Sequence, residues 1–126
     1  MPQANLVILY VDSPPASAEF YADLLGERPI ESSPTFAMLA LGKHMRLGLW
    51  SRHTVEPRAI ATAGGGEICF HADSAEALNE TYLQWRAKGL TMAQAPCDMD
   101  FGRTFVALDP DGHRLRVFFP SEESRP

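Results

Sequence analysis

The sequence predicts an α+β fold of two tandem βαβββ modules, whose curved mixed sheets surround a shared hollow. Two observations carry this prediction. The order strand, helix, strand, strand, strand occurs twice along the chain, and a segment containing a proline and three consecutive glycines separates the copies. We treat the 126 residues as a single domain. Its parts are module one (5–51), a linker (52–66), module two (67–119) and a tail (120–126).

Module one begins with the apolar run "NLVILYV", which predicts a strand because β-branched residues recur in it. A helix is expected in "DSPPASAEFYADLLG", with Ser13 as its N-cap, Pro14 in its first turn and Gly26 at its end. The segments "RPIESS", "TFAMLAL" and "MRLGLWS" complete the module as strands, the last two as a hairpin.

Module two repeats this order. "GEICFHA" predicts a strand, and "DSAEALNETYLQWRAKG" predicts a helix with Asp73 as N-cap, Glu76 completing a capping box and Gly89 at the end. "TMAQAPC", "RTFVALD" and "RLRVFF" follow as strands, and the turn "DPDGH" joins the last two.

Composition excludes several classes of function. The net charge of −5 argues against nucleic acid and anionic membranes as partners. No apolar run approaches the ~20 residues of a membrane-spanning helix, and the N-terminus lacks a signal-peptide pattern. Cys69 and Cys97 are too few for a disulfide framework, so we expect reduced thiols and a cytoplasmic protein. The motifs of serine hydrolases, zinc proteases and phosphate loops are absent, so we assign no catalytic residue.

The segments "FYADLLG" and "DPDGHRLRV", in this order across a duplicated pattern, resemble the landmarks of the vicinal oxygen chelate superfamily. That superfamily includes glyoxalase I, extradiol dioxygenases, and fosfomycin and bleomycin resistance proteins. "YV", "FY", "WS", "GGGEI" and "FGRTF…DPDGH…RV" are similar to its phenazine antibiotic resistance proteins. This resemblance implies a swapped homodimer that binds its drug in a cavity without catalysis. It also implies that Trp50 stacks on the ligand, with Phe101 and Arg103 nearby.

The resemblance places metal ligands in the first and last strands of each module, at Leu6, Gly48, Glu67 and Arg116. A divalent cation needs three or four N or O donors, whereas Glu67 alone offers one and arginine stays charged. We therefore expect neither a metal nor another cofactor. Arg116 could pair with Glu67, receive a ligand carboxylate, or extend to water at the rim. His71 could face the hollow with Glu67 or be a partly buried histidine.

Strand alternation predicts which side chains face the helices and which face the hollow. Leu47, Leu49, Leu115 and Val117 are assigned to the core. Phe36 and Phe105 could also be core residues. Gly48 should leave room beside Trp50 for a flat ring. The predicted ligand-binding residues are Trp50, Gly48, Phe36, Met38, Phe101, Arg103, Phe105, Arg116, Phe118 and Glu67.

These observations favour a metal-free protein that sequesters a planar aromatic molecule, such as a phenazine-like antibiotic, and so confers resistance. One alternative is a metal-dependent lyase or dioxygenase of the same superfamily with an atypical ligand set around Glu67. Another is an interaction domain with a collapsed hollow. The expected partners are the aromatic compound and a second copy of the chain, with no nucleic acid and no membrane.

Overall fold

The computed structural model describes residues 1–122, which form an α+β structure of two helices and two four-stranded mixed sheets. The chain divides into two compact units, Met1–Ala61 and Thr62–Pro126. The boundary between them lies inside the segment 52–66, which contains neither helix nor strand. The βαβββ order predicted for each half is confirmed.

The first unit contains one helix and one sheet, with strand order β1-β4-β3-β2. The first strand lies at one edge and pairs in parallel with the last, and the other pairings are antiparallel. Its elements are β1 (Leu6–Val11), α1 (Pro14–Leu25), β2 (Glu31–Ser32), β3 (Phe36–Leu41) and β4 (Met45–Ser51).

The second unit has the same plan, with strand order β5-β8-β7-β6 and a parallel pairing of its first and last strands. The predicted tail starts one residue too early, because Pro120 still belongs to the last strand; residues 123–126 lie outside the described part. The elements are β5 (Glu67–His71), α2 (Ala75–Ala87), β6 (Thr91–Met99), β7 (Gly102–Leu108) and β8 (Arg114–Pro120).

Side-chain and backbone caps fix the ends of α1 as predicted. The Ser13 hydroxyl accepts a hydrogen bond from the Ala16 amide, Pro14 opens the first turn, and Gly26 ends the helix in the left-handed conformation at φ 67°. These caps place α1 across β3 and β4, where it covers one face of the first sheet.

The predicted N-cap of α2 is wrong by one residue. Ser74, in extended conformation, caps the helix by accepting a hydrogen bond from the Ala77 amide at 3.0 Å. The capping box assigned to Asp73 and Glu76 is therefore not formed, because Glu76 is the second helical residue rather than the third.

Each sheet buries the face that lies under its helix. In the first unit Leu47 and Leu49 are fully buried there, as predicted. In the second unit Leu115 is fully buried and Val117 is 3% exposed. The opposite face of each sheet lies away from the helix of its unit, and most of the candidate functional residues are found on these two faces.

Candidate functional site

The open face of the first sheet is aromatic. Phe36 lies opposite Trp50 and Met38 opposite Gly48 in the antiparallel register of β3 and β4, so these four residues share one face. The rings of Phe36 and Trp50 meet edge to face, with centroids 6.4 Å apart at 83°. The side chains of Phe36, Met38 and Trp50 are half-buried. The prediction that these residues share one face is confirmed, and we call Phe36, Met38, Gly48 and Trp50 the aromatic face.

The edge strand β1 extends the aromatic face with two residues that the sequence left unassigned. Ile8 is opposite Gly48 and Tyr10 is opposite Trp50 in the parallel register. Their side chains are 37% and 42% exposed. The pairing register of β1 with β4 determines on which face Ile8 and Tyr10 lie. The apolar run "NLVILYV" alone does not show this, because residues on both of its faces are apolar.

Gly48 has a different role from the one predicted. A Cβ atom built there would lie 3.1 Å from both Ile8 Cγ1 and Phe36 Cζ. The space above this glycine is therefore filled by the protein's own side chains, and the predicted gap for a ligand ring is not present at Gly48. A flat molecule would instead meet the exposed parts of Phe36 and Trp50.

The open face of the second sheet centres on an ion pair. Arg116 Nε donates to Glu67 Oε1 at 2.8 Å, and Arg116 Nη2 donates to Glu67 Oε2 at 2.9 Å. The two side chains are only 18% and 28% exposed. Of the three roles considered for Arg116, the structure shows the pairing with Glu67, in the bidentate geometry that matches a guanidinium to a carboxylate.

Two further side chains hold the guanidinium in place. Arg116 Nη1 donates to Thr104 Oγ1 at 3.1 Å and to Gln94 Oε1 at 3.4 Å. The Phe101 ring centroid lies 5.8 Å from the guanidinium carbon. Sequence reasoning missed Thr104 and Gln94. Most donors of Arg116 are thus engaged within its own unit.

The ion pair shifts the pKa values of its own two groups and affects that of the nearby Cys69 thiol. The hydrogen bonds from Arg116, with the positive charges of Arg116 and Arg114, hold the pKa of Glu67 below its usual value. The pKa of Arg116 is raised by the same carboxylate. Burial raises the pKa of the Cys69 thiol, and the negative charge of Glu67 adds to this effect. Glu67 is therefore ionised at neutral pH and Cys69 is a protonated thiol.

The predictions that Phe105 and Arg103 line the hollow are wrong. Phe105 is fully buried on the helix side, with ring centroids 5.4 Å from Tyr82 and 5.5 Å from Trp85. Arg103 Nε donates to Asn79 Oδ1 on α2 at 3.1 Å, and Nη1 to Asp98 Oδ1 at 3.1 Å. The hairpin register is the cause, because it places Phe105 opposite the core residue Val117.

The remaining predicted residues of the second unit share the face of the ion pair. Phe118 lies opposite Thr104 in the register of β7 and β8, and its ring meets His71 edge to face at 5.3 Å. His71 is exposed, so the alternative of a partly buried histidine is wrong. The exposed Phe101 belongs to this face through its contact with Arg116.

The residues at the four family metal positions do not fit a divalent cation. In the first unit Leu6 and Gly48 provide no donor atom. In the second unit both oxygens of Glu67 accept hydrogen bonds from a permanent cation, Arg116. Within residues 1–122, no three His, Cys, Asp or Glu side chains are grouped so that they could hold a metal ion.

A cavity of about 480 Å³ lies in the first unit, at the end of the sheet where β3 turns into β4. Met38 of the aromatic face is also part of its wall. Its apolar walls are Leu6, Ile30, Met38 and Met45, and its polar walls include Lys43, His44 and Arg46. Sequence reasoning did not anticipate this cavity.

Neither helix in the described part of the chain is long and apolar enough to cross a membrane. The expectation that the protein has no membrane partner concerns more than spanning helices and stays a prediction.

Three comparisons with known proteins relate this chain to a family. A family model described as "Glyoxalase/Bleomycin resistance protein/Dioxygenase superfamily" matches residues 3–117. The chain is similar to the phenazine antibiotic resistance protein EhpR of Enterobacter agglomerans, with 27% identity over 116 residues, which are 90% of this chain and 88% of that protein. It is 53% identical to an Agrobacterium tumefaciens protein solved by solution NMR, covering 96% of this chain and 99% of that chain with a TM-score of 0.88.

A metapyrocatechase of Geobacillus stearothermophilus is 30% identical over 74 residues. That match covers 59% of this chain and only 23% of the enzyme. The likeness is therefore partial on both sides, whereas the similarity to the resistance protein extends over most of both chains.

Proposed function

The chain belongs to the glyoxalase/bleomycin resistance protein/dioxygenase superfamily, and from this premise we propose that it is a metal-free binding protein for planar aromatic compounds. Its ligand is a phenazine-like antibiotic, and the protein confers resistance by sequestering it. The observation that carries the proposal is the aromatic face, where Trp50 and Phe36 present ring surface on an open side of the sheet. The similarity to a phenazine antibiotic resistance protein supports the choice of ligand class.

The aromatic face has the chemistry that a flat ring system requires. Offset or edge-to-face contacts between aromatic rings contribute about 0.5–1.5 kcal/mol per pair beyond the burial of apolar area. The Met38 thioether adds a polarisable contact that adapts to ring edges. The ring contact does not depend on the substituents of the ligand, which suits a protein that removes a class of compounds.

The proposal that the protein works without a metal is supported by the chemistry of the residues at the family positions. A cation at Glu67 would have to displace Arg116, which would leave a guanidinium beside the incoming positive charge. We therefore propose sequestration rather than the lyase or dioxygenase chemistry of metal-bearing relatives.

We also propose that the protein acts as a cytoplasmic homodimer. Leu6, Val7, Ile8 and Tyr10 of β1 are 37–42% exposed on an edge strand, and exposed apolar edges are commonly covered by a partner. Analytical ultracentrifugation should give twice the monomer mass at micromolar concentration, and Ile8→Glu should shift the protein towards the monomer. A wild-type monomer at high concentration would contradict this part of the proposal.

Titration of metal-stripped protein with phenazine tests the function. We expect saturable binding with quenching of tryptophan emission. Trp50→Ala should weaken the affinity measured by calorimetry by about 1–3 kcal/mol, the effect of losing a stacking anchor. Trp50→Phe is the matched control, because it keeps an aromatic ring at the same place and should retain part of the affinity.

Two results would contradict the proposal. Equal affinity of the wild type and Trp50→Ala would remove the anchor role of Trp50. Stoichiometric zinc, manganese, iron or nickel in the purified protein, lost in Glu67→Ala, would favour a metal-dependent enzyme of the same superfamily.

A further inference from the structure

The cavity in the first unit joins apolar walls to a cationic end. Met38 belongs both to this cavity and to the aromatic face, so a molecule resting on that face lies directly beside the cavity. Arg46 is on the same side of the sheet, opposite Leu6 in one register and Ala40 in the other. Lys43, in the turn between β3 and β4, adds a second positive charge to the wall.

The guanidinium of Arg46 is not neutralised by a carboxylate. Within residues 1–122, its side chain makes one weak hydrogen bond, from Nη1 to the Met38 sulfur at 4.0 Å. Glu31 lies opposite Met38 on the neighbouring strand, yet no ion pair joins it to Arg46 in that part of the chain. Asp and Glu are also absent from the cavity wall. The fork of donors on Arg46 is therefore available for an anion.

Arg116 differs in this respect. Its donors are used by Glu67, Thr104 and Gln94, so an acidic ligand would have to compete with a bidentate ion pair already in place. Arg46 carries the same group, on the same unit as Trp50 and Phe36, without that competitor. The distance along β4 from Trp50 to Arg46 is four residues, or about 13 Å, which a multi-ring molecule with an acidic substituent can bridge.

We infer that Arg46, assisted by Lys43, binds the carboxylate of an aromatic acid whose rings rest on the aromatic face. This inference rests on the proposed function and narrows its ligand class to planar aromatic carboxylates. The acid is held by the guanidinium fork and the ring by Trp50, Phe36 and Met38. The two contacts together select ligands in which an acidic group lies at one end of a flat ring system.

The test compares phenazine-1-carboxylic acid with phenazine-1-carboxamide, which has the same rings and no charge. At neutral pH and low salt, the wild type should bind the acid about fivefold more tightly than the amide, the size expected for an ion pair in partly solvated surroundings. Arg46→Met should bring that ratio close to one, because it weakens binding of the acid much more than binding of the amide. Arg46→Lys should retain part of the preference, and added salt should reduce it.

Arg58→Met is the matched control, because Arg58 is exposed in the same unit and does not line the cavity. It removes the same charge and should leave the preference intact. No preference in the wild type, or a preference that survives Arg46→Met, would overturn the inference while the proposed function stands. Loss of the preference in Arg116→Met instead would overturn it in favour of the second unit. Failure of the acid, the amide and unsubstituted phenazine to bind would overturn the inference and the proposed function together.

Discussion

The two units share one strand order and differ in the chemistry of the face away from the helix. In the first unit that face carries Phe36 and Trp50, and an unneutralised Arg46 lies at its end. In the second unit the corresponding face carries Arg116 held by Glu67. The βαβββ plan therefore determines where side chains point, and the residue types on each face determine what it can bind. The first unit has the features of a ligand surface, whereas the second has its strongest polar groups satisfied internally.

The largest expected effect is a difference in stability loss between alanine variants of two phenylalanines on corresponding strands, Phe36 on β3 and Phe105 on β7. Phe105→Ala should lower the free energy of unfolding by about 3–5 kcal/mol, because a fully buried ring in contact with Tyr82 and Trp85 leaves a cavity. Phe36→Ala should cost only about 1 kcal/mol, since that ring is half-buried on an open face. Urea denaturation of both variants measures the difference.

Substitutions at the same two positions should have the opposite order of effect on ligand binding. Phe36→Ala should weaken phenazine binding, and a folded Phe105→Leu variant should bind as the wild type does. Similar stability losses for both alanine variants would show that the two faces do not differ in burial as described.

The next effect concerns the ion pair. Arg116→Met should lower the free energy of unfolding by about 1–3 kcal/mol at neutral pH, because Glu67, Gln94 and Thr104 lose a donor. The folded-state pKa of Glu67 lies below its usual 4.5, so its contribution is present above pH 4.5 and is lost as the pH falls through the lowered value. The stability difference between wild type and variant should therefore shrink in acid.

Arg114→Met is the control for that experiment. Arg114 lies 4.0 Å from Glu67 and is 49% exposed, so its loss should have a much smaller effect. Urea midpoints measured from neutral pH down to about pH 3 give the comparison. A difference between wild type and Arg116→Met that stays constant over this range would show that Glu67 does not carry the effect.

The smallest effect tests the packing above Gly48. Gly48→Ala should destabilise the first unit by about 1 kcal/mol, because its methyl group would lie 3.1 Å from Phe36 and Ile8. The shifted Phe36 ring should also change phenazine affinity in calorimetry. Gly65→Ala is the matched control, since a Cβ there meets nothing within 4 Å and the variant should lose no stability. Equal behaviour of both variants would remove the packing role of Gly48.

Most of the fold could be predicted from the sequence because helix caps and strand alternation depend on residues that are neighbours along the chain. Ser13, Pro14 and Gly26 mark the ends of α1 through their own backbone and capping preferences. Alternation also placed Leu47, Leu49, Leu115 and Val117 in the core, since these strands have a helix on one side. The start of α2 was predicted one residue too early because Asp73 and Ser74 are both residue types that cap helices well. In the structure Ser74 is the extended residue that precedes the first helical turn.

The site was predicted less completely because it depends on pairing between strands. Alternation along β7 separates Phe105 from its neighbours but does not say which face is buried. The register of the hairpin decides this, because it places Phe105 opposite the core residue Val117. That register was accessible from the turn "DPDGH", and applying it would also have put Thr104 beside Phe118. The cavity near Arg46 depends on how the turn and Ile30 fold over the sheet, which no local pattern contains.

The bidentate pair of Glu67 and Arg116 has a consequence for protein engineering. Replacing Arg116 by glutamate would set two carboxylates side by side in the second unit, with no guanidinium between them. One substitution would thus remove an attractive contact and create a repulsive one at the same place. A pair of acidic ligands introduced at this position would therefore lower the stability of the protein until a bound cation offset the repulsion.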